Sequence, residues 1–329
     1  MYQANFHGTD ISSAKFLITG GAGFIGSNIV EYLVKHGAGY IRILDNLSEG
    51  KLENIEPFLA RDNVEFIEGD IQDLATCESA CQGIEYVSHQ AALGSVPRSI
   101  ATPTVTNNAN VTGFLNMLTA AKNAHAKRFV YASSSSVYGD HPDLPKLENN
   151  IGKQLSPYAV SKYVNELYSN VFANCYGFET VGLRYFNVFG PRQKPDGPYA
   201  AVIPLFMDAL IKNEPPQING DGEQSRDFTF VVNAVEANIR GLFSKTSGAT
   251  GKVYNIAFGQ RRTVNQLFST LKQLSHSQID AIHRDPRPGD VRHSLADISL
   301  ANKYLGYDPQ FDIDRGLDIT FDWFKNRFG

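Results

Sequence analysis

The chain has 329 residues, 42% of them hydrophobic, and 30 basic against 34 acidic side chains, for a formal net charge of −4. That length supports a large core or two domains, and the charge balance offers no basic field to recruit nucleic acid or anionic lipid. No window approaches eighteen uninterrupted apolar residues and the N-terminus lacks an apolar signal core, so a soluble cytoplasmic protein is expected.

Residues 1–13 are polar and mixed and read as a short arm. Lys15 to Thr19 is the first predicted strand, Phe24 to His36 a helix, and Tyr40 to Asp45 the second strand. Val64 to Asp70 is a third strand, Leu74 to Cys81 a helix, and Tyr86 to Ala91 a fourth strand. A long helix over Asn107 to Ala124, a strand over Arg128 to Ser133, a helix over Tyr158 to Cys175 and a strand over Glu179 to Tyr185 complete the first half. Strands alternating with helices predict an α/β fold with a doubly wound parallel sheet. After Asn187 the pattern loosens around Pro191, Pro195, Pro198, Pro204, Pro215 and Pro216, as expected of a smaller mixed α/β domain built for binding. Val231 to Leu242 and Val253 to Ile256 read as a helix and strand returning to the first domain. The expected division is 1–187, with returning segments near 231–257 and 291–299, against the remainder of 188–329. Cys77, Cys81 and Cys175 form no metal-ligand set, so reduced thiols and no metal are expected.

The first strand runs into Gly20-Gly-Ala-Gly23-Phe24-Ile25-Gly26, which opens a helix. Glycines there permit a tight turn and a close approach of a pyrophosphate to the helix N-terminus, whose free N–H groups and dipole favour anions. Asp45 ends the next strand about 20 residues on, where a carboxylate binds ribose hydroxyls. A carboxylate repels a 2′-phosphate, and Asn46 follows in place of an arginine, so NAD is expected over NADP. Asp70-Ile71, ending the third strand, is positioned for the adenine edge.

Ser156-Pro157-Tyr158-Ala-Val-Ser-Lys162 places a phenol and an ammonium one helical turn apart. Ser156 suits an N-cap and Pro157 the first helical position, so Tyr158 and Lys162 share a face. A neighbouring cation lowers a tyrosine pKa from about 10 toward working pH, giving a general base for an alcohol.

With the glycine turn, Asp45, Asp70, Ala91-Ala92, Asn110, Tyr158 and Lys162 in order, the chain resembles the extended short-chain dehydrogenase/reductase superfamily over nearly its whole length. It looks most similar to nucleotide-sugar epimerases, specifically the UDP-N-acetylglucosamine 4-epimerases. Ser133-Ser-Ser-Ser-Val-Tyr-Gly-Asp140, Arg184-Tyr-Phe-Asn-Val-Phe-Gly190, Asn219-Gly-Asp-Gly-Glu-Gln-Ser-Arg-Asp227 and Arg287-Pro-Gly-Asp-Val-Arg292 carry that likeness.

The resemblance implies Ser134, Tyr158 and Lys162 as catalytic residues. It implies NAD contacts from Ala91, Ala92, Asn110 and Tyr185 besides the residues above. Ser135 and Ser136 stand where related dehydratases and decarboxylases carry acids, so chemistry is expected to stop at oxidation and re-reduction. Both could instead bond an N-acetyl group. Gly94 and Ser95, with Arg98 nearby, fall in the family's substrate loop. Arg226 and Arg287 are expected at the diphosphate, Asn187 at the diphosphate or sugar, Ala201-Val202 at the uracil, and Asp290 at the uridine ribose. Ser294 replaces a bulky tyrosine of glucose-only epimerases, leaving room for an acetamido group at C2.

The implied reaction is interconversion of UDP-N-acetylglucosamine and UDP-N-acetylgalactosamine. UDP-N-acetylglucosaminuronate or UDP-glucose/UDP-galactose as substrate, and a non-catalytic NAD-binding regulator, are the competing readings. Helices 107–124 and 158–175 resemble those forming a four-helix bundle between two subunits, so a homodimer is expected.

Overall fold

The structure is a computed structural model describing residues 1–195, 200–286 and 292–328. Its centre is a seven-stranded parallel sheet. Six strands come from the first half: β1 (Lys15–Thr19), β2 (Tyr40–Asp45), β3 (Val64–Glu68), β4 (Tyr86–His89), β5 (Arg128–Ser134) and β6 (Thr180–Tyr185). The seventh, Lys252–Ile256, arrives late in the chain and pairs with β6 from Lys252 opposite Val181 to Ile256 opposite Tyr185. Across the sheet the order is Lys252–Ile256, β6, β5, β4, β1, β2, β3. The chain leaves β1 in one direction for β2 and β3, then returns to the other side for β4 to β6. That reversal opens a crevice beyond the carboxyl ends of β1 and β4, the place where such sheets take ligands.

The strands are short apolar runs because both faces are covered. Phe16, Leu17, Ile18, Ile41, Ile43, Leu44, Phe129 and Val130 are all fully buried. Helices Phe24–Lys35 and Val231–Phe243 cover one face, whereas Leu74–Cys81 and Gly113–Asn123 cover the other. The predicted helix over 107–124 starts earlier, at Pro103, and contains a π-helical turn over Asn108–Thr112. A wide turn of this kind is not visible in hydrophobic spacing, and it commonly marks a functional site. Helix Pro157–Tyr176 begins as expected: the Ser156 hydroxyl accepts from the Ala159 N–H and Pro157 follows it. It ends at Gly177, whose φ of 63° is left-handed.

Residues 188–328 add short strand pairs, among them Ser225–Asp227 with Arg261–Thr263, and the helices Val202–Ile211, Val264–Leu274 and Ile313–Phe328. The arm expected at residues 1–13 is docked rather than loose, with Tyr2 and Ile11 buried against helix Phe24–Lys35 and its neighbours. Among the described residues no helix is long and apolar enough to cross a membrane, and no cluster of His, Cys, Asp and Glu could hold a metal. Cys77 and Cys81 are buried, Cys175 is exposed, and all three are free thiols.

Candidate active site

A cleft of about 880 Å³ opens at the reversal point, walled by the ends of β1 to β6 and by residues 187–188, 192–194 and 200–201. The glycine turn forms its floor. Gly20 has a φ of +65°, and a Cβ there would lie 2.6 Å from the Ala91 nitrogen. A Cβ on Gly26 would lie 2.1 Å from the Gly20 carbonyl oxygen. Only glycine fits at both positions, so the backbone comes close enough to cradle a pyrophosphate against the first turn of helix Phe24–Lys35.

Asp45 closes the adjacent wall. Its Oδ2 accepts from the Ala22 N–H at 3.0 Å and its Oδ1 from the Leu47 N–H at 2.9 Å. Burial nevertheless raises its pKa, against the lowering effect of those N–H groups and the Lys194 ammonium. Asn46 donates to Asp70 at 3.0 Å, linking the ends of β2 and β3. These residues fit NAD: a glycine cradle for the diphosphate, and at the ribose the Asp45 carboxylate followed directly by Asn46.

On the opposite side lie Ser134, Tyr158 and Lys162. Lys162 is 3% exposed, and its ammonium donates to the Ala132 carbonyl at 2.9 Å. Burial lowers its pKa to about 8, against the raising influence of Glu166. The predicted effect on Tyr158 is not present in this geometry. Burial raises the Tyr158 pKa, and the influence opposing it is a hydrogen bond from Ser134. The i, i+4 spacing omits the cost of placing a phenolate in a desolvated wall, and that cost is the largest influence here.

Of the other residues singled out by sequence, Gly20, Gly23, Phe24, Ile25, Gly26, Asp45, Asn46, Asp70, Ile71, Ala91, Ala92, Gly94, Arg98, Ser135, Tyr185, Asn187 and Ala201 line this cleft. Tyr185 donates to Gln90 at 3.0 Å and accepts from Asn238 at 2.7 Å, which fixes its hydroxyl. Several expected contacts are placed elsewhere. Asn110 is 1% exposed behind the lining; its amide oxygen accepts from the Leu93 N–H and its NH₂ donates to the Leu93 carbonyl and Ser161. It holds the loop that lines the cleft.

Ser95 caps helix Val96–Ala101, and Val202 opens helix Val202–Ile211 behind Ala201. The Ser136 hydroxyl is buried without a hydrogen-bond partner and lies outside the lining. Arg226 donates to the Ser225 and Arg292 carbonyls, and Ser294 is tied by its N–H to the Ser225 carbonyl; neither lines the cleft. Arg287 and Asp290 lie outside the described residues. The cleft instead presents Arg192 and Lys194, which the sequence reading missed. Their signal was present in Gly190-Pro-Arg-Gln-Lys194, a basic stretch directly after a motif already singled out.

The NAD dependent epimerase/dehydratase family matches residues 16–257. A UDP-N-acetylglucosamine 4-epimerase from Methanobrevibacter ruminantium, solved with UDP-N-acetylmuramic acid, superposes with a TM-score of 0.90 at 42% identity, covering 96% of this chain and 99% of that one. A UDP-glucose 4-epimerase from Thermus thermophilus, solved with NAD, gives a TM-score of 0.85 at 33% identity, covering 95% and 99%. A putative UDP-glucose 4-epimerase of Methanocaldococcus jannaschii is 39% identical over 94% of this chain and 98% of its own. The glycine cradle, the Asp45 wall and the match over most of the chain together establish that this protein belongs to the NAD-dependent epimerase/dehydratase family and uses NAD.

Proposed function

We propose that this chain interconverts UDP-N-acetylglucosamine and UDP-N-acetylgalactosamine through a transient 4-ketose. The observation that carries the epimerase reading is where the cleft's acids lie. Among the described lining residues the carboxylates are Asp45, Glu49 and Asp70, all following β2 or β3. Tyr158 and Ser134 stand by β5, three strand spacings or roughly 14 Å from β2. Ser135, beside Ser134, is no proton donor or acceptor at neutral pH. Among the described residues the sugar end therefore holds one base and no acid to drive elimination or decarboxylation.

The glycine turn and Asp45 would hold NAD, which when bound would supply the hydride acceptor and donor for C4 and a positive charge favouring the Tyr158 phenolate. Tyr158 removes the O4 proton and gives it back after the sugar has turned. Ser134 bonds both Tyr158 and the sugar O4. Lys162, held by Ala132, supplies a donor toward the cofactor ribose. Arg192 and Lys194 add positive charge beside the diphosphates. A nucleotide gripped at its diphosphate and free at its sugar permits the 4-ketose to present its other face.

Support for the acetylated sugar comes from Ser135 in the lining, a hydrogen-bonding group suited to an acetamide, and from the Methanobrevibacter relative's name. The names of the Methanocaldococcus and Thermus relatives favour UDP-glucose/UDP-galactose as the second reading. Residues 1–187 with the returning segments hold NAD in this scheme, and the remainder holds the UDP-sugar. Two copies pair through helices 103–123 and 157–176. Incubation with UDP-N-acetylglucosamine should give UDP-N-acetylgalactosamine. No product after NAD is added overturns the reading, and comparing kcat/KM for acetylated, plain and uronate sugars separates the substrates.

A further inference from the structure

The segment ahead of β1 lies outside the residues matched by the family, which begin at Phe16, and no step above uses it. Its contacts are specific nonetheless. The Tyr2 hydroxyl donates to Asn28 Oδ1 at 2.6 Å, with Tyr2 only 2% exposed. The Phe6 N–H donates to the Tyr32 hydroxyl at 2.8 Å, and the two rings stack with centroids 5.3 Å apart. Lys35 donates to the Met1 carbonyl at 3.0 Å. Asn28, Tyr32 and Lys35 all belong to the helix that the glycine turn opens.

Asn28 also faces the cleft wall. Its amide NH₂ donates to the Pro191 carbonyl at 3.1 Å and to the Phe24 carbonyl at 2.9 Å. Pro191 leads into Arg192, Gln193 and Lys194, which line the cleft. That segment does not hold its shape by local preference: Arg192 has a φ of +72°, a left-handed conformation disfavoured for a side chain of its size. It is held from outside, by an ion pair from Arg192 to Glu31 at 2.5 Å, a bond to the Ser27 carbonyl at 3.3 Å, and the Asn28–Pro191 bond. A carboxamide can present either its oxygen or its NH₂ to a given neighbour. The Phe24 and Pro191 carbonyls, which only accept, require the NH₂ on their side, and the Tyr2 hydroxyl anchors that orientation by donating to the Oδ1 left facing it.

We propose that the N-terminal arm is a positioning element for NAD: Tyr2 orients Asn28, which pins Pro191 and thereby holds the Arg192–Lys194 wall against the pyrophosphate-binding helix. The arm completes the cofactor site from behind, through a relay of two hydrogen bonds.

The test compares two full-length variants stripped of nucleotide, with NAD⁺ affinity read by calorimetry and Tm by thermal unfolding. Tyr2→Phe removes one hydroxyl and keeps the ring. Phe6→Ala removes the stacking on Tyr32 but leaves the Tyr2–Asn28–Pro191 relay. Tyr2→Phe should weaken NAD⁺ binding roughly five- to tenfold, while Phe6→Ala lowers Tm at least as far and leaves affinity within about twofold. Unchanged affinity in Tyr2→Phe overturns the proposal. So does loss of affinity in both variants in step with their loss of Tm, since the arm would then only stabilise the fold. No sugar enters the assay, so the answer is independent of which UDP-sugar the enzyme turns over.

Discussion

Glu166 holds Arg184 in a buried bidentate pair, with 2.9 Å from Nε to Oε1 and 2.7 Å from Nη2 to Oε2, one helical turn beyond Lys162. Ser133 donates to the same Oε1 at 2.5 Å. One carboxylate thus joins the helix bearing Lys162, the strand end bearing Ser134, and β6.

Glu166→Gln tests that junction. Burial lowers the Lys162 pKa to about 8, and the Glu166 charge opposes the fall. Removing the charge lowers the pKa further, so the neutral amine appears at a lower pH. The alkaline fall in kcat/KM should move to lower pH in Glu166→Gln. The variant also leaves Arg184 as a buried cation without its charged partner, a cost of about 3–5 kcal/mol that thermal unfolding will show. A pH profile whose alkaline limb does not move would show that Lys162 does not set it.

Tyr158 governs the other limb. Its pKa is raised by burial and pulled back by the Ser134 hydrogen bond. The phenolate is the active form, and where the positive charge of bound NAD⁺ carries its pKa below that of Lys162, kcat/KM should climb with pH until Lys162 loses its proton. Ser134→Ala removes the lowering influence and should shift the acid limb upward. Tyr158→Phe should cut turnover by about 10²- to 10⁴-fold while NAD still binds. Equal activity in Tyr158→Phe would mean that another group takes the O4 proton.

The glycine cradle makes a sharper prediction than motif spacing alone. In Gly26→Ala the new methyl carbon would lie 2.1 Å from the Gly20 oxygen, so the turn must open. Gly20→Ala adds a left-handed residue as well as a 2.6 Å contact with the Ala91 nitrogen. Both variants should be recovered without nucleotide, as read by the absorbance of NAD released on denaturation. Retention of a full equivalent in Gly26→Ala would show that the helix N-terminus is not the diphosphate site.

Those parts of the site built from contiguous residues were legible in the sequence. The glycine turn, Asp45, and the Tyr158–Lys162 pair each depend on a strand end or one helical turn, and hydrophobic periodicity locates both. The seventh strand was legible for the same reason, although the sequence could not show which edge it joined. What depends on desolvation or on long-range packing was not readable. Spacing put Lys162 and Tyr158 on one helix face but could not show the burial that raises the phenol's pKa. Motif position points Arg226 and Ser294 to the substrate, but it could not show that Ser225–Asp227 pairs with Arg261–Thr263 or that Arg226 donates to the Ser225 and Arg292 carbonyls. The polar look of residues 1–13 hid Tyr2 and Phe6, whose partners are more than 20 residues away.

The last prediction concerns the face of helix Pro157–Tyr176 that points away from the cleft. Val160, Leu167 and Val171 are separated by seven and four residues, so they share one side, and they are 48%, 50% and 49% exposed. Ile100 and Val105, on the short helices packed beside it, are 63% and 51% exposed. Opposite faces of the same helix thus carry Lys162 inward and an apolar stripe outward. A stripe of this size is costly in water, and pairing of two copies would cover it. Sedimentation should give a dimer, and Leu167→Glu, which places a charge in the middle of the stripe, should give a monomer. Because Lys162 and Tyr158 lie on the other side, monomeric Leu167→Glu should still bind NAD. A monomeric parent chain would instead leave the stripe without a partner and remove the homodimer from the scheme.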